Sequence, residues 1–309
     1  MRNRRLAPPT QLAAALVLVA LIALTLSLAT CRQGPRAGVE AITVGLPPLE
    51  QNALLYVAQA RGFFEQNGLQ VTIKDYDTGV ATVGALRAGE VEVAGLAEFP
   101  LIRPAFEGQQ PRIIAVYDRF ENDYLLVRKD RGINTPADLR GKRIGAIRGT
   151  VLEFYLGRLL ALHGIELDEV TLVDTKDTAQ TDAALLDGAV DAVVAFQPHV
   201  SSLQAELGDA VLTWPAQNEQ LVYGILVTRA DWLAEREETV ERFLRSLAAA
   251  EKALGAHPDQ AQEIVRSRLD LDSTYLDGTW PLHPFSLSLD LSLIVALNDE
   301  ARWMIGSAL

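Results

Sequence analysis

Ala85-Leu86-Arg87-Ala88-Gly89-Glu90-Val91-Glu92-Val93-Ala94 is a stretch that the chain repeats in pattern as Ala184-Leu185-Leu186-Asp187-Gly188-Ala189-Val190-Asp191-Ala192-Val193. Each copy has the composition of a helix end, a glycine that stops the helix, and a short apolar strand. Each copy then reaches a polar side chain at the same spacing, Glu98 in the first and Gln197 in the second. The repeat predicts two similar α/β lobes, and a cleft between two lobes is a common ligand site.

Helix and strand patterns alternate along both copies, which predicts a mostly parallel sheet in each lobe. Two further strands, residues 124–129 and residues 223–229, resemble each other, and both begin with a tyrosine. We interpret them as the places where the chain passes between the lobes. This interpretation puts lobe I at residues 39–123 and 229–309, lobe II at residues 129–222, and the hinge strands at about 124–128 and 223–228.

The N-terminus has the pattern of an export signal. Arg2, Arg4 and Arg5 form a basic head, and residues 12–28 are apolar except for a threonine and a serine. This pattern predicts a secretory signal peptide over residues 1–30, or an N-terminal membrane anchor. Because a basic head stays on the inner side of the membrane, we expect the rest of the chain to be exported.

Cys31 is the only cysteine in the chain, and it follows the apolar segment directly. With Leu28-Ala29-Thr30 before it, it resembles the lipobox of bacterial lipoproteins, although threonine departs from the usual small residue at that position. We therefore predict that Cys31 is lipidated and that residues 31–38 form a tether, with an uncleaved helix as the alternative. A single cysteine excludes an internal disulfide.

The composition is that of a globular, acidic protein with a formal net charge of −12 at pH 7. This charge argues against a nucleic-acid partner, because phosphate binding requires a basic patch. The part of the chain after the tether is long enough for two lobes.

Three motifs, in order along the chain, carry a family resemblance. They are Gly62-Phe63-Phe64-Glu65-Gln66-Asn67-Gly68-Leu69, Asp138-Leu139-Arg140-Gly141-Lys142-Arg143-Ile144-Gly145 with its following Arg148-Gly149-Thr150, and the second copy of the repeat. Together they resemble the substrate-binding proteins of ABC importers for aliphatic sulfonates, taurine, nitrate and thiamine-pyrimidine precursors.

The resemblance implies an α/β fold of the type II periplasmic-binding-protein class, with two lobes that close on a small molecule about a two-strand hinge. It also implies an extracytoplasmic, membrane-anchored monomer whose partners are the ligand and an ABC permease with its ATPase. A membrane-tethered ligand sensor is the alternative function, and an enzyme on the same fold is a further one.

Ligands of open α/β sheets bind outside the carboxyl ends of the strands. Residues that follow predicted strands are therefore the candidates for ligand binding. In lobe I these are Pro47, Gln51, Asn52, Thr78, Glu98, Phe99 and Asp118, and in lobe II they are Arg148, Gly149, Thr150, Phe196 and Gln197.

Arg148, Gly149 and Thr150 form the turn before a predicted helix. Gly149 lets the backbone approach a ligand closely. Thr150 is expected to cap the helix, to bind an anion at the helix N-terminus, or to do both. Arg148 is either an anion partner or a solvated surface charge.

Glu98 and Gln197 hold equivalent places in the repeat, so we expect them to clamp a polar ligand from both sides of the cleft. Phe99 and Phe196 flank them and supply either stacking surface or lobe core. With Asp118 also acidic, the predicted site favours a ligand with an amine or amidine over a simple anion such as nitrate.

The sequence does not predict catalysis, a metal or a cofactor. Its histidines, His163, His199, His257 and His283, lack the spacing of metal ligands, and no second cysteine is present. We find neither a Gly-x-Ser-x-Gly motif nor a phosphate-binding loop.

Overall fold

The computed structural model describes residues 38–217 and 220–307. The predicted signal peptide, Cys31 and nearly all of the tether lie outside these ranges. Among the helices within them, none combines the length and the apolar composition needed to cross a membrane.

The elements alternate as the repeat predicts. The first part contains β1 (Glu40–Leu46), α1 (Ala53–Ala60), α2 (Phe63–Gln66), β2 (Leu69–Asp75), α3 (Gly79–Ala88), β3 (Val93–Ala97), α4 (Ile102–Phe106) and β4 (Pro111–Phe120). The middle contains β5 (Asp123–Arg128), β6 (Arg143–Ala146), α5 (Val151–Leu162), β7 (Thr171–Asp174), α6 (Thr178–Leu186), β8 (Ala192–Phe196), α7 (His199–Leu207) and β9 (Val211–Pro215). The last part contains β10 (Val222–Arg229), α8 (Ala230–Glu235), α9 (Glu237–Ala256), α10 (Pro258–Leu269), α11 (Ser273–Thr279) and α12 (Leu291–Gly306).

The ten strands form two five-stranded sheets with the same internal order. Lobe I has the order β2-β1-β3-β10-β4, and lobe II has the order β7-β6-β8-β5-β9. In each sheet three strands are parallel, and a strand that follows an interlobe passage runs antiparallel beside them. The α/β, type II periplasmic-binding-protein fold is therefore confirmed.

The glycine stops of the repeat end their helices as expected. Gly89 and Gly188 have φ angles of 73° and 69°, a region that glycine occupies without steric cost. Each glycine follows the end of a helix and precedes a buried parallel strand, so the repeated stretch sets the second half of each parallel unit.

The chain passes between the sheets in two short segments, residues 121–122 before β5 and residues 216–221 before β10. The two similar strands named above are thus members of the sheets, and the passages lie just before them. We call these segments the first and second crossing. The lobe boundaries derived from the sequence stay predictions.

The C-terminal helix α12 belongs to both lobes. Leu297 packs against apolar residues of lobe I and of lobe II, and Met304 lies in the core around α5. Trp303 lies against Gly157 of α5, where a Cβ atom would collide with the indole ring. The helix therefore covers one side of the junction between the lobes.

Candidate functional site

A cavity lies between the two sheets, at the carboxyl ends of their parallel strands. Most of its wall is apolar, with Phe120 at the end of β4 and Phe196 at the end of β8. Its volume is about 70 Å³. The polar residues of the wall are Gln51, Asp77, Thr78, Asn122, Asp123 and Thr150.

Two helices point their N-termini into this cavity, one from each lobe. Thr78 precedes α3, and its hydroxyl accepts a hydrogen bond from the Ala81 amide at 3.2 Å. Thr150 precedes α5, but its hydroxyl donates to the Ile147 carbonyl at 2.6 Å and does not cap the helix. Free N–H groups at a helix start carry partial positive charge, so the two ends attract an anion.

The wall holds no basic side chain among the described residues. A bound anion would therefore be held by backbone amides, hydroxyls and the amide of Gln51, which also lies in the wall.

An acidic wall faces the cavity at the first crossing. Asp123 is 4% exposed, and its Oδ2 finds no hydrogen-bond partner among the described residues. The same is true of Oδ1 of the neighbouring Asn122. Burial raises the pKa of Asp123 to about 7. The arrangement suits a ligand group that donates hydrogen bonds, and a cation above all.

Sequence analysis did not select Asn122 and Asp123. The available signal was the polar run Glu121-Asn122-Asp123 directly before a predicted crossing strand. That run carries no motif, and its orientation toward the cavity depends on contacts that are distant in sequence.

Five of the predicted site residues come together in the cavity wall: Pro47, Gln51, Thr78, Thr150 and Phe196. They come from both lobes. Their contact with a ligand stays a prediction.

Glu98 does not lie in this wall. It is 0% exposed, and its Oε2 accepts a hydrogen bond from the Tyr223 amide at 3.0 Å. Its carboxyl also faces Glu300 of α12, and burial raises the pKa of both groups. Oε1 of Glu98 and both carboxyl oxygens of Glu300 find no hydrogen-bond partner among the described residues, and Glu98 does not line the cavity.

Asp118 is also fully buried and does not line the cavity. It accepts hydrogen bonds from the ring Nδ1 of His283 and from the Phe285 amide, and the His283 ring packs against Phe120 in a tilted arrangement at 5.4 Å. Burial raises the pKa of Asp118 despite these bonds. Asn52 is likewise buried and donates to the Pro47 carbonyl at 2.6 Å, so it shapes the wall from behind.

Phe99 is part of the core. It stacks on Phe154 at 5.6 Å and meets Trp303 edge-on at 5.8 Å, which favours the core interpretation over ligand stacking. Gln197 is half-buried, and its Oε1 accepts from the Ser201 hydroxyl at 2.8 Å. Neither side chain lines the cavity.

Arg148 and Gly149 do not line this cavity but a separate groove of about 340 Å³. The Arg148 guanidinium pairs with Glu153 at 3.0 Å, and the Gly149 amide donates to the same carboxylate at 2.7 Å. A Cβ on Gly149 would lie 3.7 Å from Val80 of lobe I, so this turn marks a contact between the lobes.

A second contact between the lobes lies at the mouth of the cavity. The Thr178 hydroxyl, at the start of α6, donates to Oδ1 of Asp77 at 3.0 Å, and the Thr178 amide lies 3.4 Å from Oδ2. Asp77 follows β2 of lobe I and lines the cavity. This hydrogen bond therefore joins the two lobes at the edge of the cavity.

The fold and the interlobe cavity define the class of periplasmic binding proteins. Within that class, the chain belongs to the NMT1/THI5-like family, which matches residues 50–261. The predicted family is thus confirmed.

The individual relatives described next are all less than 30% identical in sequence to this chain. The taurine-binding periplasmic protein of Escherichia coli (strain K12) is 29% identical over 207 residues, or 66% of this chain and 63% of the relative. The alkanesulfonate-binding protein SsuA from Xanthomonas axonopodis pv. citri, bound to MOPS, has a TM-score of 0.73 at 20% identity, covering 88% of this chain and 95% of that chain.

The desulfurization enzyme DSZB has a TM-score of 0.63 at 17% identity, covering 87% of this chain and 92% of that chain. At such identities the two solved structures show the fold alone. Because binding proteins and an enzyme share that fold, the fold does not separate binding from catalysis.

Proposed function

We propose that the protein is an extracytoplasmic solute-binding protein that closes on a small zwitterion with a sulfonate-like anionic end, and delivers it to an ABC importer. The observation that carries the proposal is the cavity itself. It has a helix N-terminus from each lobe and an unpartnered, buried carboxyl group at the first crossing.

The anionic end of the ligand is matched by the starts of α3 and α5. They belong to different lobes, so an anion between them stabilises the closed state and not the open one. A ligand can drive closure only through such a difference in affinity. The relatives named for taurine and alkanesulfonates support a sulfonate as the anion.

The cationic end is matched by Asp123 and Asn122. The cavity offers this carboxyl no basic partner among the described residues, so the ligand supplies it. An ammonium group would donate to Oδ2 of Asp123 and to Oδ1 of Asn122. Taurine carries both a sulfonate and an ammonium group and suits a cavity of this small volume.

The test is calorimetric titration of the full chain with taurine and with ethanesulfonate, which lacks the amine. We expect both to bind, and taurine to bind more tightly. Asp123→Asn should weaken taurine by about 10- to 100-fold, the equivalent of about 1.5–3 kcal/mol for a charged hydrogen bond, and leave ethanesulfonate nearly unchanged.

Asp168→Asn is the matched control, because Asp168 is an exposed carboxylate between β6 and β7, strands of the sheet that also contains Asp123 in β5, and it lies outside the cavity. It should leave both affinities unchanged. No binding of either compound to the wild-type chain would refute the proposed ligand class.

The pKa of Asp123 gives this proposal a pH signature. Its folded value of about 7 means that the group is largely protonated at pH 6. A bound ammonium favours the carboxylate, so taurine affinity should rise with pH through about 7 and then level off. Binding at pH 6 should also release a proton, seen as a dependence of the binding enthalpy on the buffer.

Delivery and anchoring are parts of the same proposal, supported by the family and by the N-terminal pattern. Cys31→Ala should release the protein from the membrane fraction or leave the precursor uncleaved. Unchanged processing and attachment in that variant would favour an uncleaved N-terminal helix instead.

A further inference from the structure

Gln217 occupies the second crossing, away from the cavity wall. It is 4% exposed and does not line the cavity. A buried amide side chain with no ligand role still needs partners for two donors and two acceptor positions.

The oxygen of this side chain binds the first crossing. Oε1 accepts from the Asn122 amide at 2.7 Å and from the Asp123 amide at 2.8 Å. Two consecutive backbone N–H groups therefore converge on one oxygen, which fixes the orientation of the peptide between them.

The nitrogen of the same side chain binds the end of β4, just before the first crossing, and the second crossing. Nε2 donates to the Phe120 carbonyl at 3.1 Å and to the Gln220 carbonyl at 2.8 Å. The amide orientation is determined by these partners, because two N–H groups face one end and two carbonyls face the other. Every hydrogen-bonding position of Gln217 is used.

The backbone amides of Asn122 and Asp123 thus point toward Gln217, while their side chains form the acidic wall of the cavity. Further bonds hold the same segment: Ala216 donates to the Asp123 carbonyl at 3.0 Å, and Tyr155 of α5 donates to the Gln220 carbonyl at 3.3 Å. The second crossing therefore orients Asn122 and Asp123 in the wall through the Gln217 side chain and the Ala216 amide.

We propose that Gln217 is a positioning residue that ties the two interlobe crossings together and holds Asn122 and Asp123 against the ligand. It acts through these residues and does not touch the ligand. The tie makes the two crossings move as one unit when the lobes open. Its effect on affinity rests on the proposed function, whereas the tie itself does not.

The ligand-free test is amide hydrogen exchange of the full chain. Gln217→Met keeps the length of the side chain and removes all four bonds. We expect exchange to become at least about fivefold faster in residues 120–124 and in residues 220–224 together, the factor that corresponds to 1 kcal/mol. Faster exchange in only one of the two segments would overturn the tie.

Two other variants make this test specific. Gln204→Met is the matched control, because Gln204 is exposed and its amide nitrogen bonds the Thr213 hydroxyl, away from both crossings; it should leave both segments unchanged. Gln217→Glu keeps the acceptor and loses donors, so it should keep Asn122 and Asp123 protected while residues 220–224 exchange faster. It also provides a folded protein if the methionine variant does not fold.

The second test is a double-mutant cycle on taurine affinity. Gln217→Met should weaken taurine by about tenfold in the wild-type background and by less than about twofold in the Asp123→Asn background. A purely structural role would give the same factor in both backgrounds and would overturn the positioning role. If the wild-type chain does not bind taurine, the proposed ligand fails, and hydrogen exchange alone decides whether Gln217 ties the crossings.

Discussion

Glu98 and Gln197 follow equivalent strands of the two lobes, at the ends of β3 and β8, yet their surroundings differ completely. Glu98 is fully buried next to Glu300 of α12, whereas Gln197 is half-buried beside α7. The two sheets have the same strand order, so the difference does not come from topology. It comes from the C-terminal helix, which covers the junction on the side of Glu98.

The comparison teaches that a repeat conserves the position of backbone elements and not the exposure of side chains. Helix starts such as those of α3 and α5 follow strand ends in both lobes and reach the cavity together. A side chain at a strand end reaches the cavity only where no later element covers it.

The largest expected effect compares the two phenylalanines that flank these residues. Phe99 is fully buried between Phe154 and Trp303, so Phe99→Ala should cost about 3–5 kcal/mol of unfolding free energy. Phe196 is half-buried in the cavity wall, so Phe196→Ala should cost about 1–2 kcal/mol and weaken taurine. Urea denaturation measures both; equal losses would break the comparison.

The next effect compares two helix glycines, one that lies against α12 and one that has no neighbour. Gly157→Ala should destabilise the fold by about 1–3 kcal/mol, because the new methyl group meets Trp303. Gly84→Ala in α3 meets nothing within 4 Å and should stabilise by about 0.5–1 kcal/mol. If both variants were stabilised, α12 would not pack on α5 as described.

A pH effect follows from the Glu98–Glu300 pair. Burial raises the pKa of Glu98 to about 8 from 4.5, and the charged or titratable groups around the pair are Asp123, Asp299 and Tyr155. The folded state therefore keeps protons that the unfolded chain releases. The stability from these protons is present below about pH 4.5 and is lost as the pH rises toward 8.

Glu300→Gln removes one of these acids and keeps the size of the side chain. It should be more stable than the wild type at pH 8, by about 1.4 kcal/mol for each pKa unit relieved, with a flatter pH dependence. Gln197→Glu, at the equivalent strand end of lobe II, should leave the slope unchanged because solvent reaches its carboxylate. Urea titrations from pH 5 to 8 would contradict this account if the slopes of Glu300→Gln and wild type coincided.

The smallest effect is expected at the mouth of the cleft. Thr178→Val removes the hydroxyl that bonds Asp77 across the lobes while keeping the shape of the side chain. Because the bond is exposed, taurine affinity should fall by only about two- to fivefold, mainly through faster dissociation. Thr171→Val, at an exposed site of β7, is the control. If stopped-flow measurements give the same taurine dissociation rate for Thr178→Val and the wild type, the contact plays no part in closing.

The fold was predictable because its signals are local. Glycine stops, alternating apolar patterns and the repeat determined the class and the order of elements, and five candidate residues at strand ends do line the cavity. Each of these features depends on residues close together in the chain.

The rest of the site was not predictable because it depends on distant partners. Glu98 is buried by Glu300 of α12, and the wall at Asp123 is oriented by Gln217, which lies 94 residues away. No periodicity marks either pair. Thr78 and Thr150 were recognisable as helix starts. That the Thr150 hydroxyl bonds a carbonyl and does not cap its helix could not be predicted, because it depends on the backbone conformation of the turn.

The position of β10 has a consequence for the order in which the molecule is made. This strand lies between β3 and β4 in lobe I but is synthesised after the whole of lobe II. As the exported chain emerges on the far side of the membrane, the sheet of lobe I therefore stays divided until residues 222–229 emerge. The strands of lobe II, by contrast, form one continuous run and can pair without waiting. The lobe that begins first in the sequence is completed last, against the usual N-terminal-first order of folding.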